Sequence, residues 1–303
     1  MKMNRLGKSD INISALTLGC MSLGTDKNNA KNIIDFALDM GINHLDTADL
    51  YDFGLNEEIV GEAIKDKRNQ LIITTKVGNH FNKESNDWYW DPSKSYIKAE
   101  VKESLKRLQT DYIDFYMLHG GTMDDPIDET IEAFEELKQE GIIRSYGISS
   151  IRPNVIREYV KKSSIDGVMT QYSLLDRRPE EETLDLLHQN NISVLARGPL
   201  AKGLLSNQAQ KIVATKGKEG YIDYTGSELT RIVNKLTEQS TEVTNLALQY
   251  VLQHPVVATA VFGASSIEQV AENSKVDTEI PLTDKDYLAL KEITKANRYK
   301  QHR

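Results

Sequence analysis

The chain has 303 residues, a formal net charge of −8 and one cysteine, Cys20. That length can bury a large core without disulfide or metal staples, and a lone cysteine forms no internal disulfide. The acidic balance with scattered basic residues argues against nucleic-acid or anionic-membrane partners, the first ten residues hold no apolar leader, and no apolar run nears the ~18 residues of a membrane span, so a cytoplasmic globular protein is expected.

In chain order, Met1–Asn12 centres on Gly7-Lys8-Ser9-Asp10, a turn that predicts a hairpin capping one end of the fold. Apolar runs without polar alternation follow at Ala15–Leu18, Asn43–Thr47, Leu71–Val77, Tyr112–Leu118, Ile143–Ile148, Gly167–Thr170, Ile192–Ala196 and Thr259–Phe262. Such runs predict strands covered on both faces. Helical spacing fills the gaps. Lys27–Met40 places Ile33, Ile34, Ala37 and Leu38 on one side and stops at Gly41; Ser93–Leu108 and Ile127–Gln139 repeat the pattern, the last starting after Pro126. Leu200–Ser240, after the seventh strand, reads as a long loop of functional or mobile character, with Lys211–Gly220 as its solvated tip. Leu282–Ala296 reads as an amphipathic C-terminal helix.

Strand–helix units of this kind predict a (β/α)8 barrel spanning residues 1–303 as one domain, with the N-terminal hairpin and C-terminal helix as additions. The rival is a doubly wound open sheet, which calls for G-x-G-x-x-G after its first strand; Gly19-Cys20-Met21-Ser22-Leu23-Gly24 is not that pattern.

In a barrel the working face lies at the strands' C-terminal ends. Asp46 and Tyr51 follow the second strand, Lys76 ends the third, and His119 follows the fourth. Singly, each has an ordinary explanation: a helix cap, a rim aromatic, a surface ammonium, a structural histidine. Together, on neighbouring strand ends, their chemistry agrees. An ammonium lowers a phenol's pKa, a carboxylate keeps the ammonium charged, and an imidazole orients a carbonyl oxygen. Such a set protonates a carbonyl, and the hydride must then come from a cofactor. The histidines lack H-x-H or H-E-x-x-H spacing and no G-x-S-x-G elbow is present, so neither metal nor serine chemistry is expected. After the eighth strand, Gly263-Ala264-Ser265-Ser266 opens a helix: either a phosphate site or simply a capped helix, with Ser265/Glu268 or Ser266/Gln269 as the capping pair.

These segments resemble the aldo/keto reductase superfamily: Asp46-Thr47-Ala48-Asp49-Leu50-Tyr51 with Asn56-Glu57, Thr75-Lys76, Leu118-His119, Gly147-Ile148-Ser149-Ser150, Gln171-Tyr172, Gly198 to Leu205, and Gly263 to Asn273. The resemblance implies a barrel that binds NADP(H), NAD(H) being the alternative, with Tyr51 as general acid, Lys76 and Asp46 tuning it, and His119 positioning the carbonyl. It implies Ser149, Ser150 and Gln171 at the nicotinamide, Arg197 in the place of a stacking tyrosine, Cys20 and Met21 near the nicotinamide ribose, and Asp46 as a further cofactor-binding residue. Gly198, Pro199, Leu200, Lys202 and Gly203 would clasp the pyrophosphate; Gly263, Ser265, Gln269, Glu272 and Asn273 would hold the adenosine end.

The substrate is then a small carbonyl compound. Trp88, Tyr89 and Trp90, read as a loop, either wall its pocket or pack against a neighbouring loop, and Phe53 is a further wall candidate. Two other functions fit less well: a nicotinamide sensor with little turnover, and a lyase using Lys76 as a Schiff-base amine. By position, Cys20 sits at the mouth of the first strand, where alkylation would disturb cofactor binding.

Overall fold

The computed structural model describes residues 1–303. Strands β1 (Met3–Arg5) and β2 (Asn12–Ser14) pair antiparallel, with Met3 opposite Ser14. They form the predicted hairpin, with the second strand two residues beyond the expected end. β3 (Leu16–Gly19), β4 (His44–Asp46) and β5 (Ile72–Val77) come next in the barrel. A side hairpin, β6 (Asn79–Asn82) with β7 (Asp87–Trp90), leaves it. β8 (Ile113–Leu118), β9 (Ile143–Ser149), β10 (Gly167–Gln171), β11 (Ser193–Arg197) and β12 (Val257–Gly263) complete it. The closed order is β3-β4-β5-β8-β9-β10-β11-β12, and β12 returns to β3 with Ala260 opposite Leu16. The expected (β/α)8 barrel is therefore present.

The outer layer contains α1 (Lys27–Asp39), α2 (Leu55–Ile64), α3 (Lys94–Leu108), α4 (Ile127–Gln139), α5 (Pro153–Lys162) and α6 (Thr183–Gln189). α7 (Ala209–Thr215), α8 (Gly226–Gln239), α9 (Val243–Leu252), α10 (Ile267–Asn273) and the C-terminal α11 (Asp284–Ile293) follow. None of these helices is long and apolar enough to cross a membrane. Two of them correct the sequence reading. Leu200–Ser240 is not a loop but carries α7 and α8, and Lys211–Gly220, although largely exposed as expected, is helical and buries Val213 and Gly217. α8 buries Leu229, Ile232, Val233 and Leu236, a helical spacing, and Thr225 with Glu228 forms its capping box.

Two apolar clusters result. The larger joins strands to helices, while the smaller gathers Phe115, Met117, Met169, Leu195 and Val261 inside the barrel. Leu6, Ile11 and Ile13 of the hairpin, at most 1% exposed, join this inner cluster. The hairpin thus plugs the lumen. Its turn is fixed from below: Gly7 N–H donates to Ser193 Oγ at 2.8 Å and Lys8 N–H to Asp166 Oδ1 at 3.1 Å. A polar belt also crosses the strands, with Thr17 Oγ1 2.7 Å from both Thr259 Oγ1 and His44 Nδ1, and His44 Nε2 2.6 Å from Thr74 Oγ1.

Gly7 has φ +55, and a Cβ there would lie 2.1 Å from the Asp166 carbonyl oxygen. Gly7→Ala is expected to destabilise the protein by about 3 kcal/mol. Denaturant unfolding of the two proteins checks this, and equal midpoints would show that the plug contributes nothing to the global fold.

Candidate active site

The strand order brings the candidate residues together. Asp46 ends β4, Lys76 is the penultimate residue of β5 and His119 follows β8, and these three strands are adjacent. All three residues and Tyr51 line an open cleft of about 770 Å³ at the strands' C-terminal mouth.

Lys76 is 1% exposed and its ammonium has three oxygen neighbours. It donates to Thr47 O at 2.7 Å and to the Tyr51 hydroxyl at 3.3 Å, and it lies 2.8 Å from Asp46 Oδ1. The last contact is an ion pair by distance, although Oδ1 receives no well-aligned hydrogen bond. Burial works against the lysine's charge, but Asp46 and Tyr51 outweigh it and its pKa is raised. An amine so held is not a free nucleophile, which removes the footing of the Schiff-base reading. Burial raises Asp46, with Lys76 pulling back. Burial likewise raises Tyr51 above its ordinary value, against a lowering pull from Lys76. The sequence reading foresaw the pull but not the net direction: Tyr51 remains a protonated phenol at neutral pH. His119 is held down to about 3, first by burial and then by Lys76 and Arg197, and its Nδ1 is buried without a partner. It is a neutral imidazole, set edge-on to Tyr51 with ring centroids 5.9 Å apart.

Tyr51 is delivered by an unusual backbone. Asp52, Phe53 and Gly54 are all left-handed, with φ of 48, 52 and 87. Two non-glycine residues in this region store strain, which the surroundings must offset. The start of α2 supplies the restraint. Thr47 Oγ1 donates to Asn56 Oδ1 at 2.7 Å, and Asn56 Nδ2 donates to Cys20 O at 2.9 Å. Glu57 accepts from Thr75 Oγ1 at 2.5 Å and from Arg107 Nε at 2.7 Å. Asn56 and Glu57, given no role from sequence, are thus positioning residues.

A second groove of about 580 Å³ contains Gly198, Pro199, Leu200, Lys202, Gly203, Gln269, Glu272 and Asn273. Met21, Ser22, Val261 and Gly263 line both spaces, so the two run on continuously. Within it the turn at Ala201, Lys202 and Gly203 is left-handed throughout, with φ of 46, 58 and 89. Ser266, not Ser265, caps α10, accepting from Gln269 N at 3.4 Å. The Gln269 side chain turns back to accept from Ser265 N at 2.8 Å.

Ser149, Ser150, Met21 and Arg197 line the cleft. Five expected residues line neither the cleft nor the second groove, and one of them, Ser265, is exposed and spends its backbone N–H on Gln269. Cys20 is fully buried, its thiol faces Leu18 O at 3.6 Å and burial pushes its pKa up, so neither a ligand nor an alkylating agent meets it. Gln171 is outside the cleft, donating to Asp176 at 2.8 Å and Tyr221 at 3.3 Å and accepting from Arg197 at 3.2 Å. Phe53 turns to Phe81, with centroids 6.1 Å apart. Tyr89 stacks on His80 on the far face of the side hairpin, while its neighbours Trp88 and Trp90 line the cleft. Trp90 is pinned by Asp125, which accepts its indole N–H at 2.9 Å and also holds Thr122 N at 2.7 Å. The strand alternation of Trp88-Tyr89-Trp90 explains the split.

The aldo/keto reductase family model matches residues 15–295. The chain belongs to the aldo/keto reductase family. It is 56% identical to the "Uncharacterized oxidoreductase YqkF" of Bacillus subtilis over 306 residues, covering 100% of both chains. It is 32% identical to the "NADH-specific methylglyoxal reductase" of Escherichia coli, covering 98% of this chain and 99% of that protein. Among solved structures, the holo form of aldo-keto reductase AKR11C1 from Bacillus halodurans superposes with a TM-score of 0.93 at 54% identity, covering 100% of this chain and 99% of that one. The apo form of that protein gives 0.86. Enzymes of this family are oxidoreductases that use nicotinamide cofactors, and the comparisons do not favour a non-catalytic sensor.

Sequence reasoning missed several lining residues of this aldo/keto reductase: Ser22, Asn79, Thr122 and Arg152 in the cleft, and Ser206 and Gln208 in the second groove. Ser22 was within reach, because the residues just before it were already placed at the mouth. Asn79 opens the side hairpin that sequence reading took for a loop, and the others sit in connections without a motif.

His44 and His119 give the fold a pH dependence. Each is held to about 3, chiefly by burial, from an ordinary 6.5. Between those values the unfolded chain binds more protons than the folded one, so stability falls as pH drops, by about 1.4 kcal/mol per unit for each histidine. His119→Asn removes one of the two. Its unfolding free energy is expected to decline less steeply than wild type between pH 6 and pH 4, and parallel declines would rule out a buried neutral His119.

Proposed function

We propose that this protein reduces aldehydes or ketones to alcohols in the cytoplasm, with NADP(H) as its nicotinamide cofactor and Tyr51 as the general acid. The observation that carries the proposal is the Lys76 ammonium, set between Asp46 at 2.8 Å and the Tyr51 hydroxyl at 3.3 Å, at the floor of a cleft that His119 also lines.

The continuous groove fits an extended dinucleotide. Ser149, Ser150 and Arg197 would hold the nicotinamide end. The left-handed turn at Ala201-Lys202-Gly203 would present the Lys202 ammonium to the pyrophosphate, the N–H groups of Ala201 and Gly203 being spent on Gly198 O and Leu200 O. Gln269, Glu272 and Asn273 would meet the adenosine end. Bound there, a nicotinamide nucleotide supplies the hydride that no side chain can. The chain's own residues handle the oxygen. A neutral His119 donates a hydrogen bond that orients the carbonyl, and the protonated Tyr51 passes its proton to the carbonyl oxygen as negative charge grows there. Lys76 favours the tyrosinate left behind, and Asp46 keeps Lys76 charged. For the reverse oxidation Tyr51 must first lose its proton, which Lys76 again favours.

Tyr51→Phe is expected to lower kcat for aldehyde reduction by about 10²- to 10⁴-fold. NADPH binding, read from the fluorescence of Trp88 and Trp90, should stay near wild type. Full activity in that variant would remove Tyr51 from the mechanism. NADPH is expected to bind at least tenfold more tightly than NADH in the same titration; equal or tighter NADH binding overturns the cofactor preference alone.

A second measurement tests the coupling. Since Lys76 lowers the Tyr51 pKa, Lys76→Met should push it higher still. Alcohol oxidation, which needs the ionised tyrosine, should then require a higher pH than in wild type. A pH–rate profile that stays in place would show that Lys76 does not tune Tyr51.

A further inference from the structure

The charge inside the cleft differs from that of the chain. The sequence carries −8, yet the residues lining the cleft include Lys76, Arg152 and Arg197 against the single carboxylate of Asp46, which is already paired with Lys76. Two guanidinium charges are left over. Arg197 contacts Gln171 and also lines the adjoining pocket with Gly198 and Lys202, on the side of the second groove. Arg152 sits on the other side. It is half-buried and Nη1 donates to Gly121 O at 2.5 Å, in the loop that follows His119. Its backbone N–H donates to Ser150 Oγ at 3.2 Å. No carboxylate stands within ion-pair distance of it. Of the two acids of that loop, Asp125 uses its oxygens on Thr122 and on the Trp90 indole, and Asp124 is exposed and forms no ion pair with Arg152.

A guanidinium taken partly out of water, fixed by one of its five N–H groups and left without a counter-ion, is a site for an anion. Its surroundings describe the rest of the ligand. Trp88 and Trp90 wall the same cleft, with Trp88 51% exposed, and Asp125 fixes the Trp90 indole in place. We propose that the preferred carbonyl substrate carries a carboxylate on an apolar body, and that Arg152 binds the carboxylate while the two tryptophans flank the body. Arg152 is then a specificity-determining residue. It touches the substrate's remote end and orients the carbonyl toward Tyr51 and His119. This deepens, and rests on, the reading of the cleft as a site of carbonyl reduction.

The test compares 3- and 4-carboxybenzaldehyde with the matching carbamoylbenzaldehydes, which keep the ring and the carbonyl and lose the charge. In wild type the better carboxylated isomer should exceed its amide in kcat/KM by about 10- to 100-fold, as expected of a charge-assisted hydrogen bond. In Arg152→Leu that ratio should fall toward one, and Arg152→Lys should restore part of it. A loop that merely loses its anchor at Gly121 would slow both compounds and leave the ratio unchanged, which would overturn the proposal. So would a wild-type ratio near one. If the variants do not fold, inhibition of the wild type decides: benzoate should inhibit at least tenfold more strongly than benzamide, and equal inhibition overturns the assignment. Reduction of neither aldehyde sinks the reductase reading and this inference with it, whereas equal reduction of both sinks this inference alone.

Discussion

An ammonium buried at the mouth of the barrel is the constraint around which the site is arranged. Removing that charge from water costs several kcal/mol unless oxygen partners replace the lost hydration. Lys76 finds them in the carboxylate of Asp46, the carbonyl of Thr47 and the hydroxyl of Tyr51. The first two come from the end of β4, which the barrel places beside β5 in any case. The third does not. The chain must leave β4, swing Tyr51 back over Lys76 and enter α2 within a few residues, and the left-handed run of Asp52, Phe53 and Gly54 accomplishes it. The strain is sustained because Asn56 ties α2 to the ends of β3 and β4, while Glu57 ties it to β5 and to Arg107 of α3. Removing these ties should loosen Tyr51 before it loosens the barrel.

The same ammonium acts on the protonation of its neighbours, second to burial. Burial does most to keep His44 and His119 neutral, and the lysine's charge adds to it. Burial therefore leaves an uncharged imidazole and, against the pull of Lys76, an uncharged phenol facing the cleft, the two groups that can donate hydrogen bonds to a carbonyl oxygen. His44 spends its neutral ring on the polar belt between Thr17 and Thr74. His119 keeps a nitrogen without a partner. Two histidines with similar pKa shifts thus have different uses, decided by whether the barrel wall supplies them with hydroxyls.

The barrel was legible because each buried strand is a short apolar run, and each of the eight lies within two residues of its expected place. The tetrad was legible because strand adjacency follows from chain order. What escaped did so for local reasons. α7 has seven residues, too few for periodicity to register, and the lysines in and after it, Lys211, Lys216 and Lys218, concealed Val213. α8 was available, since Leu229, Ile232, Val233 and Leu236 repeat correctly and Thr225-x-x-Glu228 announces the start; the glycines before it drew attention instead. The side hairpin hides in a polar stretch, Asn82 to Asp87, flanked by aromatics, and only its strand alternation separates Tyr89 from Trp88 and Trp90. Cys20 shows the limit of placing residues by position: its neighbours Gly19 and Met21 line the cleft while its own side chain points into the core. Arg152 carried no signal, because being unpaired is a property of the folded surroundings.

The two grooves meet at a seam. It lies where the barrel closes, at the ends of β3 and β12, with Gly19 opposite Gly263 in register. A Cβ on Gly263 would come within 2.9 Å of Ser22 Oγ, and one on Gly19 within 3.3 Å of Phe262 O. A side chain at Gly263 would therefore crowd the passage, which Met21, Ser22 and Val261 also line. The walls of the cleft face no such restriction. Trp88 and Trp90 are carried on a hairpin outside the barrel's hydrogen-bonding, and Arg152 lies in the turn between β9 and α5. Changes there reshape what the cleft accepts without touching the seam, the lysine or the strained turn behind Tyr51. The tetrad thus stands at the ends of β4, β5 and β8, while Trp88, Trp90 and Arg152 stand on segments outside the barrel's hydrogen-bonding.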